Sequence, residues 1–328
     1  MSFILRRLVF YLVAAWVALT INFFIPRAMP GNAVQSVMSK FPNLQPAAYR
    51  ALEALLGVGH PGSIWNQYVS YLDDVLHFNF GTDVSQYPAS VSSLLVETLP
   101  WTIVLVGTAT VIAFLVGTAL GIVAGWRHGG GLDRALPGLM FLQAIPYFFF
   151  ALILLELLAI RVHVFPIGQG YDGGLIPGWH WDFISSAFYH SLLPALTIVL
   201  TSIAGWMLQM RNVMITTIGE DYVIAAQAKG LPNRRVIYTY AARNALLPQL
   251  QGFGLAVGFV VSGALVMEIV FSYPGIGLLL LNAVTSNDYP LMQAIFLVIT
   301  FTVLLANLIV DIIIVFADPR ARAREAVL

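Results

Sequence analysis

The sequence of 328 residues has no cysteine and very little charge. Without cysteine, the chain forms no disulfide and offers no thiolate metal ligand and no thiol nucleophile. Charged residues make up 10% of the chain and hydrophobic residues 59%, whereas soluble domains carry about 25% charged residues. The formal net charge is zero, so general attraction to nucleic acid is not expected. This composition indicates a membrane protein.

The motifs of nucleotide binding, zinc binding and serine catalysis are missing as well. Lys40 and Lys229 are the only lysines, and neither ends a G-x-x-x-x-G-K-[ST] run. No H-E-x-x-H or G-x-S-x-G occurs, and no two of the six histidines are spaced four residues apart. We therefore expect no catalytic residue, no bound metal and no cofactor held by this chain.

Six apolar runs are long enough to cross a membrane as helices, because about 20 residues span the hydrocarbon core. They cover residues 8–27, 98–126, 136–160, 188–210, 247–271 and 290–316. The first run follows two arginines, as a signal peptide would, but it is too long for one and lacks a clear cleavage site. The sequence therefore predicts an all-α polytopic membrane protein with six transmembrane helices.

The basic residues show which side of the membrane each segment faces. Twelve of the sixteen lie in residues 1–7, 127–135, 211–246 and 317–328. Positive charge marks the cytoplasmic side, so we expect both termini to be cytoplasmic.

The predicted organisation has four parts. They are a cytoplasmic end with the first helix (1–27), an extracytoplasmic segment (28–97), a five-helix core (98–316) containing the cytoplasmic loop 211–246, and a cytoplasmic tail (317–328).

Three carboxylates fall within or at the ends of the predicted spans, namely Glu156, Glu268 and Asp311. Charge inside a membrane is costly and often functional, so these residues and Asn307 are candidates for a transport pathway. Structural roles explain them too: Glu156 can pair with Arg161 at the outer membrane edge, and Asn307 shares a helix face with Asp311. We favour the structural roles.

The loop between the fourth and fifth predicted spans is cationic and rich in alanine: IAAQAKGLPNRRVIYTYAARNALLP, residues 224–248. The pattern predicts a short helix from Gly219 to Gly230. Glu220 and Asp221 fall in its first turn, where carboxylates favour the positive end of the helix dipole. Gly230 fits the end of that helix, because glycine accepts the left-handed conformation of a C-cap.

A second helix is predicted after this turn. Pro232 prevents the first helix from continuing, and Asn233 can cap a helix that runs through Arg234 and Arg235. Arginines beside a membrane can also meet anionic lipid headgroups, in which case the loop is an interfacial linker.

The small side chains of Ala225, Ala226 and Ala228 favour a different role for the same loop. They make one flank of the first helix narrow, so another protein surface can approach it closely. We expect Ala226 and Gly230 to shape that docking face. On the residues alone, docking and linking carry equal weight.

The same stretch resembles the cytoplasmic loop of ABC importer permeases, whose pattern is E-A-A-x-x-x-G. Ala225, Ala226 and Gly230 match that pattern, and Ile224 replaces the glutamate. The oligopeptide, dipeptide and nickel permease group has the longer pattern E-D-Y-x-x-x-A-x-A-K-G-L…R-N-A-L-x-P. Its matching residues here are Glu220, Asp221, Tyr222, Ala226, Ala228, Lys229, Gly230, Leu231, Arg243, Asn244, Ala245, Leu246 and Pro248.

The resemblance covers nearly the whole chain. Stretches similar to those of the group occur in the expected order: ILRRL, MPGNA, FGTDV, VETLPWTI, HSLLPALT, EIVFSYPGIG, NDYPLMQ and DPRAR. Together they are most similar to the first of the two permease subunits. The resemblance implies a type I ABC importer permease fold in the cytoplasmic membrane of a prokaryote.

In such importers the loop is a coupling helix that docks on a cytoplasmic ATPase. The docking residues that the resemblance implies are Glu220, Asp221, Tyr222, Ala225, Ala226, Lys229, Gly230, Leu231, Arg234 and Arg235. It also implies a second homologous permease, two ATP-binding-cassette ATPase subunits or domains that hold ATP and magnesium, and an extracytoplasmic binding protein. Membrane lipid is a further expected partner, and nucleic acid is not.

The substrate that the resemblance implies is a di- or oligopeptide. Some relatives of the group carry oligosaccharides, and the stretches GWMLQMRNVM and NALLPQL are closer to that branch than to the common dipeptide form. Nickel is a third alternative, disfavoured because the spans hold few histidines. A proton-coupled secondary transporter is an alternative of another class, but it needs a midplane proton site and inverted repeats, and the sequence shows neither.

Overall fold

The computed structural model describes residues 3–28, 63–83, 89–258 and 265–317, which are almost entirely helical. An isolated bridge between Thr82 and Ser90 is the β pairing found among them. The rest of the predicted extracytoplasmic segment and the tail after residue 317 lie outside the described residues. The all-α architecture expected from the sequence is confirmed.

Twelve helices follow one another in the described part of the chain. They are α1 (Phe3–Ala28), α2 (Ile64–Leu76), α3 (Val91–Trp126), α4 (Gly131–Ala144), α5 (Tyr147–Leu154), α6 (Trp181–Ile218), α7 (Asp221–Ala228), α8 (Asn233–Arg235), α9 (Arg243–Gly258), α10 (Leu265–Val270), α11 (Ile276–Thr285) and α12 (Tyr289–Ala317). π-helical turns extend α5 over Leu155–Arg161 and join α8 to α9 over Val236–Ala242.

Four of these helices are long and apolar enough to cross a membrane: α1, α3, α6 and α12. The pair α4 and α5 adds a fifth if it is counted as one broken span. The described residues thus give four or five spans by length and composition, and they do not establish the predicted six.

The third predicted span, 136–160, is not a single straight helix. α4 ends at Ala144, α5 begins at Tyr147, and the two axes are bent by 93°. Pro146 causes the break: it has no N–H to continue the helix, and it forces the preceding Ile145 into an extended conformation with ψ 126°. The prediction of one helix was wrong because the surrounding residues are so uniformly apolar.

The fifth predicted span, 247–271, corresponds to α9 and α10. α9 begins four residues earlier than predicted, at Arg243, and α10 ends at Val270. Residues 259–264 between them lie outside the described residues, so the predicted continuity is not tested.

The chain divides into two compact units. The first contains Met1–Thr102 and Pro274–Leu304, and the second contains Ile103–Tyr273 and Leu305–Leu328.

In the first unit, hydrogen bonds fix α2 to α1. The hydroxyl oxygens of Thr20 and Tyr68 are 2.7 Å apart, and the Asn22 amide donates to the Tyr71 hydroxyl at 3.2 Å. The same amide donates to the main-chain carbonyl of Gln293 on α12 at 2.9 Å. These bonds matter because a polar group left unbonded near hydrocarbon costs several kcal/mol.

In the second unit, α3 and α6 approach closely along a stripe of glycines. The glycines are Gly117, Gly121 and Gly125, one helical turn apart. A Cβ on Gly121 would lie 2.6 Å from both the Met207 carbonyl oxygen and the Met210 Cβ, and one on Gly125 would lie 2.5 Å from the Met214 Cβ. Small residues at this spacing let membrane helices pack backbone to backbone. The sequence GTALGIVAG carries this signal, which the sequence analysis missed.

Gly121→Ala should therefore destabilise the protein. The added methyl group forces α3 and α6 apart, and overpacking of this kind costs about 1–3 kcal/mol. We expect a lower midpoint of thermal unfolding for the purified protein in detergent.

Gly107→Ala on the same helix is the matched control. No described atom lies within 4 Å of a Cβ built there, and alanine favours the helix over glycine. Its midpoint should be unchanged or higher. If both variants unfold at the same temperature, α3 and α6 do not pack along the glycines.

Candidate functional site

The predicted docking loop forms a short helix that ends in a glycine turn. Gly230 has φ +71°, and its N–H donates to the Gln227 carbonyl at 2.8 Å. The Leu231 N–H donates to the Ala226 carbonyl at 3.4 Å. Together these bonds form the Schellman motif, in which a left-handed residue ends a helix. The predicted helix end at Gly230 is confirmed.

The helix boundaries on either side of this turn follow from the local sequence. Glu220 has an extended backbone and precedes α7, and Asp221 lies in the first turn. α8 begins with extended Pro232 at the cap position and Asn233 as its first helical residue. The expectation that Asn233 caps this helix was wrong by one residue, because proline itself supplies the extended cap conformation.

One face of α7 is buried against other helices of this chain. Val223 is 0% exposed and Ala226 is 3% exposed, and a spacing of three residues puts them on the same face. They belong to a cluster that we call the loop core, consisting of Met210, Met214, Val223, Ala226, Val236, Ala241, Ala242 and Ala245. The loop core fixes α7 to α6 and α9, so the loop is a packed element and not a free linker.

Ala226 therefore does not lie on the exposed surface of α7 in this structure, whereas the sequence prediction placed it on the docking face. Its small side chain does permit a close approach, but the surface that approaches it belongs to this chain. The sequence pattern shows that a face of small residues exists, and it does not show what covers that face.

The opposite face of α7 is exposed and partly apolar. Tyr222 is 40% exposed and Ile224 is 50% exposed. We call this surface the α7 face, which consists of Asp221, Tyr222, Ile224, Ala225, Ala228 and Lys229, all exposed. Of the other predicted docking residues, Glu220, Gly230, Arg234 and Arg235 are exposed and Leu231 is half-buried.

An ion pair between Arg211 and Asp133 fixes the start of α4 to the C-terminal part of α6, beside the loop core. Arg211 donates from Nε to Asp133 Oδ1 at 2.7 Å and from Nη2 to Oδ2 at 3.3 Å. The Gly129 N–H also donates to Asp133 Oδ2, at 2.8 Å. The hydrogen bonds from Arg211, then that from Gly129, hold the pKa of Asp133 well below its usual range. The carboxylate therefore stays ionised at physiological pH and ties the start of α4 to α6.

The intramembrane carboxylates do not come together in the structure. Glu156 pairs with Arg161 at 3.0 Å, as expected, and both side chains are substantially exposed. Glu268 on α10 is fully buried. Asn307 and Asp311 are half-buried on α12. Among the described residues no group of three or more His, Asp or Glu residues could hold a metal ion.

A cavity of about 440 Å³ opens at the break between α4 and α5. The break itself supplies Gln143, Ala144, Ile145, Pro146 and Tyr147, and side chains from α3, α6, α9 and α10 complete the lining. The cavity was not predicted from the sequence, although Pro146 within an apolar run was a signal for it.

Comparison with known proteins identifies the family. Residues 117–323 match the family described as "Binding-protein-dependent transport system inner membrane component". The chain belongs to this family. The matched range contains the α7 face, the loop core, the glycine stripe and the break between α4 and α5.

Three relatives align with nearly the whole chain. The oligopeptide transport system permease protein AppB of Bacillus subtilis (strain 168) is 29% identical over 97% of this chain and 98% of its own length. The dipeptide transport system permease protein DppB of Escherichia coli (strain K12) is 30% identical, over 99% and 100%. The di/tripeptide transport system permease protein DppB of Pseudomonas aeruginosa (strain UCBPP-PA14) is 30% identical, over 98% and 99%. The resemblance seen in the sequence is thus confirmed.

Two adjacent alanines test how this inner membrane component folds its loop. Ala226→Arg places a charge in the loop core, where an unpaired buried charge is strongly unfavourable. We expect faster amide hydrogen exchange across α7 in the purified single subunit. Ala225→Arg on the exposed side should exchange like the unmodified chain. Faster exchange in both variants, or in neither, would contradict the burial pattern of α7.

Proposed function

We propose that this chain is a permease subunit of an ATP-binding-cassette importer for di- and oligopeptides, and that the α7 face docks on a cytoplasmic ATPase. The observation that carries the docking proposal is the division of α7 into two faces. One face is locked to α6 and α9, and the other presents exposed apolar side chains. An exposed apolar patch held on a rigid base is typical of a protein contact.

The α7 face has the chemistry of a groove-binding helix. Tyr222 supplies an aromatic ring, Ile224 an aliphatic anchor, and Ala225 and Ala228 leave room for a close partner backbone. Asp221 and Lys229 lie at the two ends of the same short helix. Helices of this kind commonly bind by placing an apolar face in a hydrophobic groove. The groove is proposed to belong to an ATPase that holds ATP and magnesium.

The remaining partners follow from topology and family. The cationic loops favour a cytoplasmic location for the α7 face, and the segment 28–97 would then face the opposite side. We propose that this segment meets a substrate-binding protein, that both termini are cytoplasmic, and that a second homologous permease completes the membrane pore. The names of the relatives, which refer to oligopeptide, dipeptide and di/tripeptide transport, favour peptides as the substrate.

Substitutions on the α7 face should separate docking from folding. Ile224→Asp removes the aliphatic anchor and adds a charge at a site that is exposed in this chain. We expect normal insertion and unfolding temperature, loss of the ATPase on co-purification, and a fall of more than about tenfold in peptide uptake, since a contact of this kind carries at least about 1.4 kcal/mol.

Arg234→Ala is the matched control, since this exposed arginine lies on α8 and outside the α7 face. Its uptake should fall little if it meets lipid headgroups. Retention of the ATPase at normal stoichiometry by Ile224→Asp would show that the α7 face is not the docking surface.

Uptake by the complete transporter in proteoliposomes tests the substrate and the energy source. Labelled dipeptide should enter only with ATP and the binding protein present, and a protonophore should not abolish entry. Uptake of an oligosaccharide or of Ni²⁺ in place of peptide would reassign the substrate. Uptake that needs a proton gradient but no ATP would indicate a secondary transporter.

A further inference from the structure

When α4 and α5 are counted as one broken span, the break between them lies at membrane depth. α4 begins beside the predicted cytoplasmic end of α3, and the π-helical extension of α5 ends at Arg161, at the predicted outer edge. Ile145 and Pro146 are therefore in the middle of a path across the membrane. Non-helical backbone is tolerated there only where it is buried in protein or lines a water-filled cavity. The cavity at this break has the place and volume to be that second environment.

The two helix ends at the break supply unpaired backbone groups. The first N–H groups of a helix and its last carbonyls have no partner within the helix. α5 has Pro146 at its cap position, and no side chain caps it. α4 ends at Ala144, and the N–H of its C-cap residue Ile145 donates to the Leu142 carbonyl. The N–H groups of Phe149 and Phe150 donate to the Pro146 carbonyl, so the cavity is bordered by the N–H of Tyr147 at the start of α5 and by carbonyl acceptors at the end of α4.

The side chains that line the cavity are polar or apolar but not ionisable at physiological pH. Gln143, Thr110, Thr201 and Ser202 provide amide and hydroxyl groups, and Trp206 provides an aromatic surface. Among the described residues of the lining there is no Asp, Glu, Lys, Arg or His. The volume of about 440 Å³ falls within the range of small-ligand sites, about 300–1,000 Å³.

We propose that this cavity is a station on the substrate's route, where the neutral backbone amide of a peptide is held and its side-chain charges are not selected. This inference rests on the proposed function. A peptide bond carries one donor and one acceptor, which match the helix ends, the glutamine amide and the hydroxyls. A fixed charge in a partly screened site would favour peptides of one sign. Its absence suits a carrier of peptides with varied side chains.

The lack of native cysteine makes accessibility the direct test. In the assembled transporter, in permeabilised membranes, Gln143→Cys and Ser202→Cys should react with a charged methanethiosulfonate, and dipeptide delivered with the binding protein and ATP should slow the reaction. Leu152→Cys is the control: this apolar residue of α5 is 47% exposed but outside the cavity, and it should not react. If positions 143 and 202 are as unreactive as 152, the cavity is not aqueous and the proposal is wrong.

Gln143→Glu tests the selectivity claim, because it adds one negative charge with almost no change of shape. We expect the ratio of cationic to anionic dipeptide uptake to rise about tenfold, the effect of one unit charge a few ångströms away in a partly screened site. Asn233→Asp adds the same charge at an exposed position of α8, outside the cavity and the α7 face, and should leave the ratio unchanged. An unchanged ratio in Gln143→Glu would overturn the proposal.

The two experiments also separate this inference from the proposed function. If the transporter carries no peptide, reactive cysteines at positions 143 and 202 would still show an aqueous cavity, and the failure would lie in the substrate assignment. If peptide uptake is normal while the cysteines are unreactive or the charge ratio stays fixed, only the cavity inference fails.

Discussion

The close approach of α3 to α6 is the contact on which the rest of the second unit depends. The glycine stripe brings α3 against the backbone of α6 at Met207 and against the side chains of Met210 and Met214. Met210 and Met214 also belong to the loop core, where Val223 and Ala226 pack. The glycines therefore determine the position of α7, because they determine the position of the two methionines on which α7 packs. Methionine suits this place, since its flexible side chain fills irregular gaps.

α6 connects the proposed docking site to the proposed substrate cavity. Thr201, Ser202 and Trp206 line the cavity, and Met210 and Met214 support α7 a few turns further along the same helix. At 1.5 Å per residue, the distance from Thr201 to Met214 is roughly 20 Å. A displacement of α7 by an ATPase would pass to α6 through the loop core and reach the cavity without an intervening loop. The Arg211–Asp133 pair also fixes the start of α4 to α6. Because α4 forms one side of the cavity at the break, this pair connects that side of the cavity to α6 as well.

Much of this arrangement was predictable from local sequence. The length of the apolar runs predicted a helical membrane protein, and Gly230 with Pro232 predicted the end of α7. Both predictions depend only on residues that are neighbours in the sequence. The sequence did not predict which surface packs on Ala226. A face rich in alanine can pack equally well on a partner protein and on the chain's own core. The break at Pro146 was hidden within a run of apolar residues, and hydropathy does not distinguish a straight helix from a bent one. The glycine stripe was readable from its four-residue spacing, but the helix it contacts lies about 90 residues further along the chain.

The central claim is that α7 has one face for this chain and one for an ATPase. Cysteine accessibility in the isolated subunit and in the full complex tests it most directly, with Ile224→Cys and Val223→Cys as neighbouring probes. The account predicts that the cysteine at position 224 reacts with a small thiol reagent in the isolated subunit and is protected in the complex, whereas that at position 223 is unreactive in both. Equal reactivity at position 224 with and without the ATPase would contradict the account.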